Sequence, residues 1–276
     1  MKKFILLFLM LIGAVVLLAA CGGGSPEEDP TTDDATGSGD TEQDVLAKVQ
    51  EEGTLVVGTE GTYPPFTFHD DSGELTGFDV EIAREVGKRL GVEVEFLETQ
   101  WDAMFAGLDS GRFDMVANQV GINAERQESY EFSDPYITSA AVLVVAEDNT
   151  DITGFEDLEG KLSAQSLTSN YAEIAKSNGA ELEGVEGFNQ AIELLNSGRV
   201  DATVNDKLTV LDFQKQRPDA SIKVADEADD AAQSALLFRQ GSGAIVEEAN
   251  KALAEMIEDG TYDEISEKWF GENVLE

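Results

Sequence analysis

One stretch of this chain occurs twice, and it constrains the fold more than any other feature. Ser110-Gly111-Arg112-Phe113-Asp114 returns as Ser197-Gly198-Arg199-Val200-Asp201. In both places a helical period precedes the glycine and an apolar, strand-like run follows it. Seven residues past each glycine stands an asparagine, Asn118 and Asn205, followed by Gln119 and Asp206. Two similar α/β units would each place polar side chains at the C-terminal end of a strand, where open α/β sheets bind ligands. A chance recurrence is the competing reading, because Ser-Gly-Arg is a common helix stop.

The surroundings fit the repeat. Leu55-Val56-Val57 reads as a strand, and Phe78, Ile82, Val86 and Leu90 as one face of a helix stopping at Gly91. Val92–Phe96 alternates as a strand and Asp102–Leu108 reads as a helix. Such alternation predicts an α/β fold with largely parallel sheets. The β-prone runs Ala140–Ala146 and Ala235–Phe238 are expected to cross between the units and back, and Ala244–Asp259 and Tyr262–Trp269 to be closing helices. The second lobe, residues 143–233, then becomes an insertion in a first lobe of residues 45–142 plus 234–276. A pair of strands joins them, a geometry that permits hinge closure over a ligand.

The N-terminus addresses the chain out of the cell. Lys2 and Lys3 precede seventeen uncharged residues, Phe4–Ala20, which end in small residues. That is the pattern of a secretory signal, residues 1–20, and is barely long enough for a membrane span. Leu18-Ala19-Ala20-Cys21 resembles the lipobox of bacterial lipoproteins, so Cys21, the only cysteine, is expected to carry lipid. Residues 21–44 hold Gly, Ser, Thr, Pro, Asp and Glu with no large apolar side chain, the composition of a flexible tether.

Charge and composition narrow the function. The formal charge of −38 becomes −40 once the two lysines of residues 1–20 are removed. A polyanion of this size is repelled by nucleic acid and anionic lipid, so no nucleic-acid partner is expected. A lone cysteine gives no disulfide framework and no thiolate metal cluster. The single histidine, His69, lies in a turn-like stretch and reads as solvated. No triad, phosphate loop, metal site or cofactor motif emerges, and no catalytic residue is assigned.

A binding site has better material. Arginine binds both oxygens of a carboxylate at once, and Arg126 follows Asn118 by eight residues. By spacing alone, a surface salt bridge with Glu125 or Glu128 reads as readily. Thr168-Ser169 opens a helix from Asn170 to Ser177, and its hydroxyls and free amides suit a carboxylate or simple N-capping. Asp206 suits an ammonium, or the N-cap of a helix ending at Gln216. Tyr63 and Trp101 suit a pocket wall, or the core.

Several separated motifs then fall in order. Gly77-Phe78-Asp79-Val80-Glu81-Ile82, Glu125-Arg126, Phe132-Ser133-Asp134-Pro135-Tyr136 and Glu267-Lys268-Trp269-Phe270-Gly271 resemble the polar-amino-acid binding proteins of ABC importers, solute-binding protein family 3. The resemblance runs from about Thr54 to Gly271 and implies a two-lobed periplasmic-binding-protein-like fold of type II. It also implies roles: Arg126 clamps the ligand carboxylate, aided by amides near Gly121 and by Thr168 and Ser169. Asp206 pairs with the α-ammonium, Tyr63 and Trp101 flank the side chain, and Glu60 stands where some members read that side chain. Many members carry a hydroxyl residue where this chain has Gly121, so the ammonium would lean on Asp206 and the Asn118 carbonyl. Ala117-Asn118-Gln119-Val120 and Gln165-Ser166-Leu167-Thr168-Ser169-Asn170-Tyr171 resemble cystine-binding members, whose ligand has a second zwitterion suited to amide side chains. The implied protein is a monomer anchored outside the membrane, which captures a polar amino acid and hands it to permease subunits. An amino-acid sensor and a dehydratase-like enzyme on the same scaffold are the alternatives.

Overall fold

The computed structural model describes residues 44–275, so the expectations for the signal segment, for Cys21 and for nearly all of the tether lie outside the described residues. The described chain opens with α1 (Val45–Glu52), capped by the Asp44 carboxylate on the Leu46 N–H. Strand β1 (Thr54–Thr59) enters the first sheet, and a three-stranded antiparallel ribbon follows: β2 (Thr62–Tyr63), β3 (Thr67–His69) and β4 (Leu75–Thr76). Helix α2 (Phe78–Leu90) buries the apolar face read from the sequence and stops at Gly91, whose left-handed φ of 77° frees its N–H for the Gly87 and Lys88 carbonyls. Next come β5 (Glu93–Glu98), α3 (Trp101–Asp109), β6 (Met115–Gly121), α4 (Ala124–Ser129), β7 (Tyr130–Phe132) and β8 (Ile137–Ser139).

The chain then enters a second sheet. It contributes β9 (Ala141–Ala146), β10 (Leu162–Gln165), α5 (Asn170–Ser177), β11 (Glu181–Gly184), α6 (Phe188–Asn196), β12 (Ala202–Asp206), α7 (Lys207–Gln216) and β13 (Ile222–Glu227). Strand β14 (Ala232–Arg239) returns to the first sheet, and α8 (Gly243–Asp259) and α9 (Thr261–Phe270) pack against α2. The strand orders are β5-β1-β6-β14-β7, with β8 also on β14, and β11-β10-β12-β9-β13. Each sheet thus runs three parallel strands and then an antiparallel one, and both antiparallel strands, β14 and β9, adjoin a chain crossing. The architecture is the expected α/β fold with two lobes. Ala141 and Val142, expected in the first lobe, already pair in the second sheet, and Ala232 and Gln233 already pair in the first.

The sequence repeat is a structural repeat. Gly111 and Gly198 both take left-handed φ, 70° and 65°, at the ends of α3 and α6. Asp114 donates its N–H to the Val56 carbonyl at 2.8 Å and accepts the Val56 N–H on Oδ2 at 3.2 Å. Asp201 does the same to Leu162, at 2.8 Å in both directions. In each sheet, the aspartate clips the repeat strand onto its parallel neighbour, which a chance recurrence would not do.

Aromatic packing closes the first lobe. Phe78 meets Tyr136, Tyr262 and Phe270 with ring centroids 5.0–6.1 Å apart, and Phe78, Tyr136 and Tyr262 are at most 1% exposed. Burying each such ring is worth about 1.5–3 kcal/mol. In the second sheet Leu143, Val145, Ile152, Leu158 and Val204 form a smaller cluster. His69 is exposed, as expected, but it ends β3 rather than lying in a turn, with Nδ1 3.3 Å from the Gly61 carbonyl and Nε2 3.2 Å from Glu98.

Candidate ligand-binding site

The C-terminal ends of β6 and β12 face each other across a cavity that opens to solvent. From the first sheet side Glu60, Tyr63, Trp101, Asn118 and Gln119 line it. From the second come Gln165, Ser169, Asn170, Tyr171, Asn205 and, as an apolar wall, Val185 and Phe188. Both asparagines of the repeat therefore meet at one cavity.

Each side chain is held from behind. The Asn118 Oδ1 accepts the Glu60 N–H at 2.8 Å, and its Nδ2 donates to the Glu60 carboxylate at 2.6 Å. Burial pushes the Glu60 carboxyl up to about 7, against the opposing bond from Asn118 and with help from the nearby Asp102 charge. Trp101 is 7% exposed, and its indole N–H is buried with no acceptor among the described residues.

Strand β6 reaches the cavity by a bulge. Val116 pairs with Leu237 and Val120 with Ala235, so Ala117, Asn118 and Gln119 stand opposite Leu236 alone. Gln119 is the one non-glycine residue with positive φ, 49°, among the described residues. Such bulges re-aim side chains, often beside functional sites. The Gln119 Oε1 lies 3.3 Å from the Tyr63 hydroxyl and 3.5 Å from that of Tyr171, and the Tyr63 hydroxyl donates to Asn205 at 2.8 Å. These contacts join groups carried by the two sheets.

Arg126 is buried at 7% exposure, which removes the surface salt-bridge reading: it pairs with neither Glu125 nor Glu128. Nη1 donates to the Gly121 carbonyl at 2.8 Å and Nη2 to the Thr168 carbonyl at 3.2 Å. Its guanidinium lies 5.3 Å from the ring centroids of both Trp101 and Phe105. Burial lowers its pKa, with Tyr171 and Glu173 acting the other way, yet an arginine stays charged. The Arg126 backbone is fixed by Asn123, whose side chain caps α4 on the Arg126 N–H at 2.8 Å.

Of the ten expected ligand residues, Glu60, Tyr63, Trp101, Asn118, Gln119 and Ser169 line the cavity, while Gly121, Arg126, Thr168 and Asp206 do not; Arg126 and Thr168 line a neighbouring pocket with Asp102 and Phe105. Ser169 caps α5 through the Ala172 N–H at 3.0 Å. The hydroxyl and N–H of Thr168 do not reach in; both donate to Asp102 across the cleft, at 2.7 and 3.1 Å. Asp206 caps α7 on the Leu208 N–H, and its Oδ2 lies 3.4 Å from the Tyr171 hydroxyl. Burial raises its pKa. A side chain at Gly121 would touch the Asn170 amide at 3.5 Å. The expected set lacked Asn205, Tyr171, Gln165 and Phe188. The repeat itself singles out Asn205, whereas Phe188 is indistinguishable in sequence from a core residue. No cluster of three or more His, Cys, Asp or Glu suited to a metal ion occurs among the described residues.

Comparison with known proteins agrees with this geometry. Residues 55–272 match the family of bacterial extracellular solute-binding proteins, family 3. The L-cystine-binding protein TcyA of Bacillus subtilis is 55% identical over 232 residues, 84% of this chain and 86% of that protein. The unliganded, open L-cystine solute receptor of Neisseria gonorrhoeae is 46% identical, over 84% of this chain and 99% of that one, at a TM-score of 0.56. An ancestral arginine-binding protein with arginine bound is less similar in sequence, 41%, over 79% of this chain and 98% of that one, yet superposes better, at 0.75. The contacts across the cleft agree with a better match to the arginine-bound relative than to the open one. This chain belongs to the bacterial extracellular solute-binding proteins of family 3.

Proposed function

We propose that this chain captures L-cystine outside the cell, closes its lobes on it and delivers it to the membrane subunits of an ABC importer, tethered by a lipid on Cys21. The observation that supports the reading is a cavity lined by Glu60 and the amides Asn118, Gln119, Gln165 and Asn205, with buried Arg126 and Asp206 behind it, packed against the lining residues Trp101 and Tyr171. A free amino acid needs a cation for its carboxylate and an anion for its ammonium. Arg126 takes the first role and Asp206 the second. The Trp101 indole N–H, a buried donor, is available to an acceptor on the ligand. L-Cystine carries this set twice. Asn118, Gln119, Gln165 and Asn205 give and accept hydrogen bonds at the second end, and Glu60 stands there for the second ammonium. The Val185 and Phe188 wall suits the disulfide between them. The lobes are residues 45–140 with 232–276, and 141–231, hinged at the two crossings. Closure follows from ligand contacts that exist only when both lobes reach the ligand.

A thermal-shift panel of the common amino acids plus L-cystine tests the reading, on a form beginning at Gly22 that is unfolded and refolded to strip carried ligand. At a hundredfold excess over Kd a ligand adds about 2.7 kcal/mol, a rise of a few degrees. A shift with L-cystine above all others is expected. A shift confined to glutamine or a basic amino acid keeps the amino-acid reading and removes cystine. No shift with any of them removes both.

A further inference from the structure

Beneath the bulge of β6 lies a buried acid that does not line the cavity. Asp79, in the first turn of α2, is fully buried. One carboxylate oxygen accepts the Gln119 N–H, and the other accepts the Tyr136 hydroxyl at 3.0 Å. Its own position is fixed by backbone alone. The N–H groups of Phe78 and Asp79 donate to the Pro65 and Phe66 carbonyls at 2.9 and 3.0 Å. The chain there passes so close that a Cβ at Gly77 would strike the Phe66 carbonyl.

Gln119 is the residue that needs holding. A left-handed backbone is unfavourable for a residue with a long side chain, and within a bulge the strand ladder does not supply it. Asp79 supplies an acceptor for the N–H that this conformation leaves off the ladder. With the backbone so turned, the Gln119 side chain reaches both Tyr63 and Tyr171, which come from opposite sides of the cleft. The same acid reaches the crossing strands: Tyr136 immediately precedes β8 and donates its N–H to Ser234 of β14, and the Ser234 hydroxyl lies 3.4 Å from the Gln119 carbonyl.

We propose that Asp79 is a positioning residue for ligand selection, holding the Gln119 backbone left-handed so that its amide is aimed into the cavity, and tying that amide to the strands that cross between the lobes. The selection half of this inference rests on the cavity being the ligand site; the hold of Asp79 on Gln119 does not.

Two arms test it in the full-length protein. The first is calorimetric titration with L-cystine, L-glutamine and L-arginine. Asp79→Leu, which removes the acceptor, is expected to weaken the preferred ligand by about tenfold or more and to bring the three affinities together, with Asp79→Asn in between. In a Gln119→Gly background, where the backbone turns freely and the amide is gone, adding Asp79→Leu is expected to cost less than about twofold. Equal losses in both backgrounds, or lower affinities with unchanged ratios, would reduce Asp79 to a general stabiliser and overturn the proposal. The second arm is residue-resolved hydrogen exchange without ligand, and it decides the matter if Asp79→Leu does not fold. In Asp79→Asn the Gln119 amide is expected to exchange faster while the Val57 amide does not change. Unchanged Gln119 exchange sinks the proposal. If the wild type binds none of the three amino acids, the ligand reading falls and selection with it, while exchange still judges the hold.

Discussion

The two repeat units, from Ser110 to Gly121 and from Ser197 to Asp206, share a glycine turn, an aspartate clip and an asparagine at the cavity, and then they diverge. Strand β12 pairs with β9 in unbroken register, from Ala202 with Val145 to Asp206 with Ala141. Strand β6 bulges against β14 and carries a left-handed glutamine. The regular strand runs straight into a helix and ends in a capping acid, Asp206. The irregular one ends in a turn to a short helix that presents a buried arginine. The repeat supplies a frame, and the opposite charges needed for a zwitterion arise where the two copies stop being alike.

The sharpest way to break this comparison is to remove the charges one at a time. Arg126→Ala is expected to abolish amino-acid binding in calorimetry, a loss of about 3 kcal/mol or more, while circular dichroism reports an intact fold. The clips come next. Asp114 is fully buried and holds Lys48 at 2.8 Å, whereas Asp201 is exposed. In urea denaturation Asp114→Ala is expected to cost about 2–3 kcal/mol, since it strands a half-buried lysine, and Asp201→Ala about 1 kcal/mol. Equal costs would mean that the clip, and not its setting, carries the energy. Asp206→Asn is expected to weaken binding about tenfold for every α-amino acid alike, which a set of ligands in titration checks.

The remaining effect is a slope against pH. Burial pushes Asp79 up to about 7 from 3.8 and Glu60 up to about 7 from 4.5. The folded state therefore holds more protons than the unfolded state between about pH 4 and 7. Stability from these groups is fullest below that window and falls as pH rises through it. Asp79→Asn is expected to flatten the fall of melting temperature between pH 4 and 7 relative to wild type. A parallel curve would show that Asp79 ionises normally.

Much of the frame is legible in sequence because it rests on local signals. The apolar face of α2 and its glycine stop, the helix from Asn170 to Ser177 and the span of β9 all follow from periodicity and caps. The short strands β2–β4, β7 and β8 carry no such signal, being too brief for alternation to register. At the site, legibility fails where a residue does ordinary work and special work at once. Asp79 reads as a first-turn acid favoured by the helix dipole, and only the fold places it under Gln119. Ala117-Asn118-Gln119 contains no glycine to betray a bulge. Thr168 reads as a helix-opening hydroxyl, and nothing local reveals that its partner is Asp102, 66 residues earlier. The buried setting of Arg126 depends on Trp101 and Phe105, and neither the wall-or-core reading of the first nor the helical period of the second shows what they cover.

The bond pair from Thr168 to Asp102 has a kinetic meaning. Both residues are exposed and belong to opposite walls of the cleft, so the contact is made late, once the walls have met. An interaction absent from the encounter leaves the rate of capture alone and lengthens the wait before reopening. At about 0.5–1.5 kcal/mol such a contact multiplies that wait about two- to tenfold. Under the proposed closure, the pair acts as a timer on the cargo, set outside the cavity and blind to which amino acid lies within.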